Sequence, residues 1–185
     1  MKKFRDRTEA GRRLAKRLSD YGEFDPLVLG LPRGGVPVAY EVARALQAPL
    51  DIWIVRKMGV PWNPELAAGA VAEGGHVYLE RDDLGSLGIG RRELRDLAGQ
   101  KLEEVRERVR KFRADRPAPE ILGKTVILVD DGIATGSTVR AAIESLRKEG
   151  PARIILAVPV APEDTVRRLA REVDEVVALA SPADF

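Results

Sequence analysis

Four consecutive apolar residues, Val126-Ile127-Leu128-Val129, run straight into Asp130-Asp131 with no polar residue between them. A strand with one wet face alternates, whereas an unbroken run of this kind suits a central parallel strand covered on both faces. The flanking segments fit that reading. Residues 27–31 are a short apolar run ending in Pro32-Arg33-Gly34-Gly35, and residues 36–46 carry helical periodicity through Val38, Val42, Ala45 and Leu46. Residues 51–55 give a second β-branched run, and residues 154–160 and 173–179 two further apolar segments. Helices are expected over 138–149, closed by Gly150-Pro151, and over 162–171. Strands and helices alternating in this way predict an α/β fold, a doubly wound parallel sheet with its ligand site beyond the carboxyl ends of the strands.

Other segments sit around that frame. Residues 4–18 read as a basic amphipathic helix, with Phe4, Leu14 and Leu18 near one face. Arg56-Lys57 end the second strand, and residues 58–64, with one glycine and two prolines, are expected to be an irregular loop. Residues 69–72 and 76–79 look like two short strands around Glu73-Gly74-Gly75. Residues 89–112 place Leu94, Leu97, Leu102, Val105, Val109 and Phe112 three to five apart, the spacing of a long amphipathic helix. The expected organisation is a single domain over 1–185, with 80–118 as a helical insertion or hood.

Composition narrows the chemistry. With 185 residues, one domain is the default. The chain has no cysteine and one histidine, His76, which removes disulfide frameworks, thiolate nucleophiles and the usual metal clusters. His76 follows two glycines in an expected turn and reads as a solvent-facing imidazole. The balance of 31 Lys+Arg against 29 Asp+Glu leaves +2, far from a nucleic-acid-scale field. No apolar run approaches the roughly 18 to 20 residues of a membrane span, so a cytoplasmic protein is expected. Asn63, Gln47 and Gln100 are the only side-chain amides, a depletion typical of heat-adapted proteins.

The chemistry concentrates in residues 126–138. A buried strand delivers Asp130 and Asp131 to the sheet edge, and a small-residue loop then opens a helix. Orphan amides at a helix start, with the dipole behind them, bind phosphate, and Thr135, Ser137 and Thr138 add hydroxyl donors. The two carboxylates can accept from a pair of ribose hydroxyls and hold Mg2+.

This stretch resembles the phosphoribosyl pyrophosphate (PRPP) signature of the type I phosphoribosyltransferases. The resemblance implies that Asp130 and Asp131 bind the ribose hydroxyls and Mg2+, and that Gly132, Ala134, Thr135, Gly136, Ser137 and Thr138 hold the 5-phosphate. Gly30-Leu31-Pro32-Arg33-Gly34-Gly35 stands where the family places its pyrophosphate loop, often with a non-proline cis peptide, here expected between Arg33 and Gly34. Arg33, Gly34 and Gly35 would meet the leaving group, and Arg56-Lys57 resemble the cationic pair that several members aim at it. Catalytic roles fall to Arg33, Lys57 and Asp131. The Phe4-Arg5-Asp6-Arg7 opening, the 56–61 block and the Gly69-Ala70-Val71-Ala72-Glu73-Gly74-Gly75 run are similar to a bacterial subfamily of predicted phosphoribosyltransferases with no assigned acceptor. That subfamily usually continues beyond 181–185 with a further aromatic segment.

The implied activity is transfer of a 5-phosphoribosyl group from PRPP to a purine- or pyrimidine-type base in nucleotide salvage or synthesis. Loop 58–65 would close over the site, with Glu65 and Glu73 as further charged groups, and the 90–112 helix would form a hood or a homodimer surface. Ala134 replaces the aspartate that hypoxanthine-guanine enzymes direct at the purine, so that acid–base role has no residue here. The alternative is a PRPP-sensing regulator that binds RNA or DNA. The basic N-terminal segment favours it, while the retained leaving-group residues and the lack of a helix-turn-helix or aromatic stacking motif favour the enzyme.

Overall fold

A computed structural model describes residues 4–79 and 88–182. In chain order the elements are α1 (Arg7–Arg17), a 3-10 turn (Ser19–Phe24), β1 (Leu27–Gly30), α2 (Gly35–Leu46), β2 (Leu50–Ile52), β3 (Val55–Val60) and β4 (Asn63–Ala72). A second 3-10 turn (Glu73–Gly75) leads to β5 (Val77–Leu79), α3 (Arg91–Arg113), β6 (Thr125–Val129), α4 (Ser137–Lys148), β7 (Arg153–Val160), α5 (Glu163–Leu169) and β8 (Glu175–Ala180). They fall into two compact units, one of Met1–Trp53, Pro119–Gly136 and Glu149–Phe185, the other of Ile54–Ala118 and Ser137–Lys148.

The first unit carries a five-stranded sheet in the order β2-β1-β6-β7-β8, parallel throughout, which is the expected doubly wound order. All four apolar residues of the 126–129 run are fully buried, as a central strand requires. Leu14 of α1, Leu18 at its C-cap and Val38 and Val42 of α2 pack on Val28, Ile127, Val129, Ile155 and Ala157 of the sheet. The start of α1 is fixed by Asp6, whose carboxylate accepts from the Glu9 amide at 2.7 Å, while the Glu9 carboxylate accepts from the Arg5 amide at 2.6 Å. This reciprocal capping sets the helix start at Arg7, three residues inside the apolar pattern.

The second unit is a three-stranded antiparallel sheet, β3-β4-β5, packed with α3 and α4. Here the expected 58–64 loop is corrected: residues 55–72 form a β-hairpin. Met58 and Val60, two apart, turn to the same face and are fully buried, and Val60 packs with Ala68, Ile89, Leu94 and Leu97. Pro61 and Trp62 make the turn, and the register shifts between Met58, Gly59 and Val60 take up the irregularity that the glycine and prolines signal. The 69–72 and 76–79 strands and the turn between them are present, with the first strand extended back to Asn63. Residues 80–87 of the expected insertion and residues 183–185 lie outside the described residues, as does the Glu65 side chain. Among the described residues, no helix is long and apolar enough to cross a membrane.

Candidate functional site

The strand order reverses between β1 and β6, and ligands of open α/β sheets bind at such a point, beyond the carboxyl ends. Gly30 is in register with Val129, and the Leu31 amide donates to the Val129 carbonyl at 2.9 Å. The loops carrying the two sequence motifs therefore leave the sheet side by side.

The first of these loops is short. The Gly35 amide donates to the Leu31 carbonyl at 3.0 Å, and Gly34 already has right-handed helical backbone angles, φ −63° and ψ −36°. The non-proline cis peptide lies at Pro32–Arg33, one bond earlier than the Arg33–Gly34 position expected. The physical reason is that Gly34 is already the N-cap of α2 with helical backbone angles, so the chain reversal is complete before it. Both glycines are required by close approach: a Cβ at Gly34 would lie 2.1 Å from Asp131 Oδ2, and one at Gly35 would lie 2.6 Å from the Val129 carbonyl oxygen and 3.0 Å from Asp130 Cα. The Gly35 neighbours are backbone and cannot swing away. Gly35→Ala is expected to cost about 1–3 kcal/mol of stability by forcing the two loops apart, and a chemical denaturation midpoint equal to that of the parent would contradict this packing.

The second loop brings the acids. Asp130 accepts from the Asp131 amide at 2.9 Å through Oδ1. Burial pushes its carboxyl up to about 7, the Asp131 charge adds to that rise, and the amide bond opposes it. Asp131 is more open and is met by Arg7, whose Nε and Nη2 lie 2.8 and 2.7 Å from Oδ2. Beyond the acids, the Ile133 amide donates to the Val160 carbonyl at 3.0 Å and buries Ile133, which anchors the bend. The Ala134 carbonyl then accepts from Thr165 Oγ1 at 3.0 Å, and the Thr135 carbonyl from Arg168 at 3.5 Å. In a planar trans peptide, N–H points opposite to C=O, so mooring these two carbonyls to α5 turns the amides of Thr135 and Gly136 away from it. Among the described residues, no carbonyl accepts from the amides of Ala134 or Gly136. Gly136, at φ +83°, makes the left-handed turn into α4, which starts at Ser137, with Thr138 next.

Arg33 is exposed at the first loop, and with Arg7, Gly34, Pro37 and Asp131 it lines a cavity of about 400 Å3. A larger groove of about 850 Å3 between α1 and α2 holds none of the motif residues. Its buried Glu41 is neutralised by Arg44 at 2.6 Å and Arg12 at 3.4 Å, so it presents no reactive group.

Arg56 and Lys57 lie within β3 of the second unit, where alternation sends their side chains to opposite faces. Arg56 is paired with Glu104 of α3 at 2.7 Å, and Lys57 is exposed. Glu73, expected as a further charged group of the site, is buried at 8% exposure and paired with the buried Arg113. His76 is half-buried, its carbonyl accepting from the Ala72 amide. Sequence reasoning missed Arg7, Thr165 and Arg168. The Phe4-Arg5-Asp6-Arg7 motif held a signal for Arg7, whereas nothing local marks a threonine 31 residues downstream of the bend.

Asp130 and Asp131 supply hard oxygen donors, and among the described residues no group of three or more His, Cys, Asp or Glu side chains could hold a metal ion. Two carboxylates fit Mg2+, which dehydrates reluctantly and is usually held by one or two carboxylates plus substrate phosphates.

A family model for the phosphoribosyl transferase domain matches residues 3–180. Over all 185 residues the chain is 47% identical to a Mycobacterium tuberculosis protein provisionally named a phosphoribosyl transferase, and it spans only 42% of that protein. It is 38% identical over 137 residues to the protein named bifunctional PyrR of Chloroflexus aurantiacus, a match covering 68% of this chain and 65% of that one. The crystal structure of TT1426 from Thermus thermophilus superposes with a TM-score of 0.85 at 46% identity, over all of this chain and 87% of that one.

Proposed function

The chain belongs to the phosphoribosyl transferase family, and on that premise we propose that it transfers the 5-phosphoribosyl group of PRPP to a nitrogenous base with release of pyrophosphate. The observation that carries this reading is the contact between the two motif loops: Asp131 lies against Gly34, and Asp130 against Gly35, at the switch point of the sheet. A sugar carrying a 5-phosphate and a 1-diphosphate needs both loops together.

Each residue then takes a part set by charge. As the bond from C1 of the ribose to the diphosphate oxygen breaks, positive charge builds on the ring and negative charge on the leaving group, while a ring nitrogen of the base forms the new bond to C1. Asp130 and Asp131 accept from the ribose hydroxyls and face the developing positive charge. Arg33 and the Gly34 and Gly35 backbone meet the departing diphosphate, and Lys57, exposed on β3, keeps the role the resemblance gives it. Preorganised groups of this kind lower the barrier without a covalent nucleophile. Mg2+, held by Asp130 and Asp131 together with substrate phosphates, would supply charge neutralisation to the leaving group. The amides and hydroxyls from Ala134 to Thr138 grip the 5-phosphate. Ala134 is exposed at the bend and carries no acid or base, so the acceptor is recognised without a side-chain proton donor at that position. Choice of the acceptor is assigned to the 80–118 insertion, the hood of this family, and the reaction to the cytoplasm.

The test is a screen of purine and pyrimidine bases with Mg-PRPP, reading pyrophosphate release. At least one base should give turnover, and Arg33→Ala, which removes an exposed side chain, should cut it by about 100-fold with the fold intact. Release from no base, or full activity in that variant, would count against the reading. The second reading, a PRPP-sensing regulator, draws on the likeness to PyrR. In the N-terminal segment, Arg5, Arg7, Arg12 and Arg13 are paired with Asp6, Asp131, Glu41 and Glu9, which weakens the field that segment offers to RNA. A salt-sensitive RNA shift without pyrophosphate release would favour the regulator.

A further inference from the structure

The Phe4-Arg5-Asp6-Arg7 opening has no part in the roles assigned so far, yet it delivers a cation to the acidic pair. The reciprocal caps between Asp6, Glu9 and Arg5 pin the first turn of α1, and Arg7 is its first residue. From there its guanidinium places Nε and Nη2 on the same oxygen of Asp131, 124 residues away in sequence. The pair lines the cavity that Arg33 and Gly34 also line. The charged residues lining it are Arg7, Arg33 and Asp131, two cations against one carboxylate, so an entering anion meets a net positive lining.

We propose that Arg7 is a diphosphate-binding residue of the substrate site, a second guanidinium beside Arg33 that rests on Asp131 until a phosphate group takes it over. The proposal rests on the transferase reading above and adds a residue to it. Three observations carry it. The Arg7 side chain is 60% exposed and that of Asp131 29%, so water screens their attraction and a polyanion can compete for the guanidinium. The planar fork of arginine matches phosphate oxygens as well as it matches a carboxylate. And the exchange releases Asp131, whose oxygens are then available to the ribose hydroxyls, so arrival of the diphosphate and engagement of the ribose reinforce one another.

Calorimetric titration of the full chain, its Arg7→Ala variant and its Arg7→Lys variant with Mg-PRPP, Mg-pyrophosphate and ribose 5-phosphate tests this. Arg7→Ala should lose about tenfold in affinity for Mg-PRPP and for Mg-pyrophosphate, the effect of one charge-assisted contact. Ribose 5-phosphate, which has no diphosphate to draw Arg7 away, should bind Arg7→Ala at least as tightly as the parent, because Asp131 is then free for the ribose hydroxyls, and Arg7→Lys should recover part of the loss. Unchanged or tighter Mg-PRPP binding by Arg7→Ala overturns the proposal, and so does an equal loss for ribose 5-phosphate, which would mean that Arg7 acts only by holding Asp131. Failure of the unsubstituted chain to bind Mg-PRPP overturns the transferase reading itself and is seen before any variant is made. The exposed side chain leaves the thermal unfolding midpoint unchanged in both variants.

Discussion

Asp130→Asn should weaken Mg-PRPP binding by about 100-fold and, at pH 8, make the protein more stable by about 2–4 kcal/mol. The two effects share one cause. The folded carboxyl titrates near 7, pushed there by burial and by the neighbouring Asp131 charge, against an ordinary value of 3.8. Between those two pH values the folded chain binds more protons than the unfolded chain, so this group's contribution to stability falls as pH rises from about 4 to about 7. Above 7 the full cost of a buried charge is present. Asparagine carries no charge and its Oδ1 can still accept from the Asp131 amide, so the substitution removes the cost and keeps the hydrogen bond. Urea unfolding at pH 8 and pH 5 checks the sign: the gain should be large at pH 8 and clearly smaller at pH 5. A loss of stability at pH 8, or the same gain at both, would defeat the account. The affinity arm follows from the same proton. A ligand that binds the ionised carboxyl must expel it, so Mg-PRPP affinity should rise with pH through about 7.

The second large effect concerns folding. Arg113, the last residue of α3, and Glu73, in the turn between β4 and β5, are both buried and joined by an ion pair. The Glu73 backbone is fixed as well, its amide donating to the Ile54 carbonyl at 2.8 Å. Removing one partner strands the other charge in the interior, so Arg113→Met alone should cost about 3–5 kcal/mol. Replacing both, as Glu73→Leu with Arg113→Met, should recover most of that, because an apolar pair of similar volume avoids desolvating two ions. Denaturation midpoints of the parent, the single variant and the double variant decide it. A single variant as stable as the parent, or a double variant no better than the single, would contradict a buried pair.

These two residues also mark where the sequence stopped being readable. The parallel sheet was legible because burial on both faces leaves a local trace: Val126 to Val129 contain no polar residue, and the acids that follow can only stand at a strand end. The switch-point location followed from the alternation of strands and helices. The 55–72 hairpin was hidden because Gly59, Pro61 and Pro64 signal irregular chain, and their real work is the bulge and the turn, while the two-residue spacing of Met58 and Val60 spans too few positions to outweigh them. The burial of Glu73 was not legible because its partner is 40 residues away, and pairings at that separation are set by packing alone. Arg7 shows the same limit at greater range. Its motif could be noticed, but no spacing rule brings residue 7 to residue 131.

The mooring of the 134–136 bend to α5 has an evolutionary corollary. Peptide N–H groups aimed by hydrogen bonds from Thr165 and Arg168 to the carbonyls behind them are indifferent to the side chain at position 134, which has no donor of its own. On the transferase reading, position 134 is therefore free to drift toward new acceptors without loosening the hold on the sugar phosphate, provided the scaffold behind it stays put. Diversification under that reading would leave its record at the front of the bend, and purifying selection would leave its own at the back, on α5.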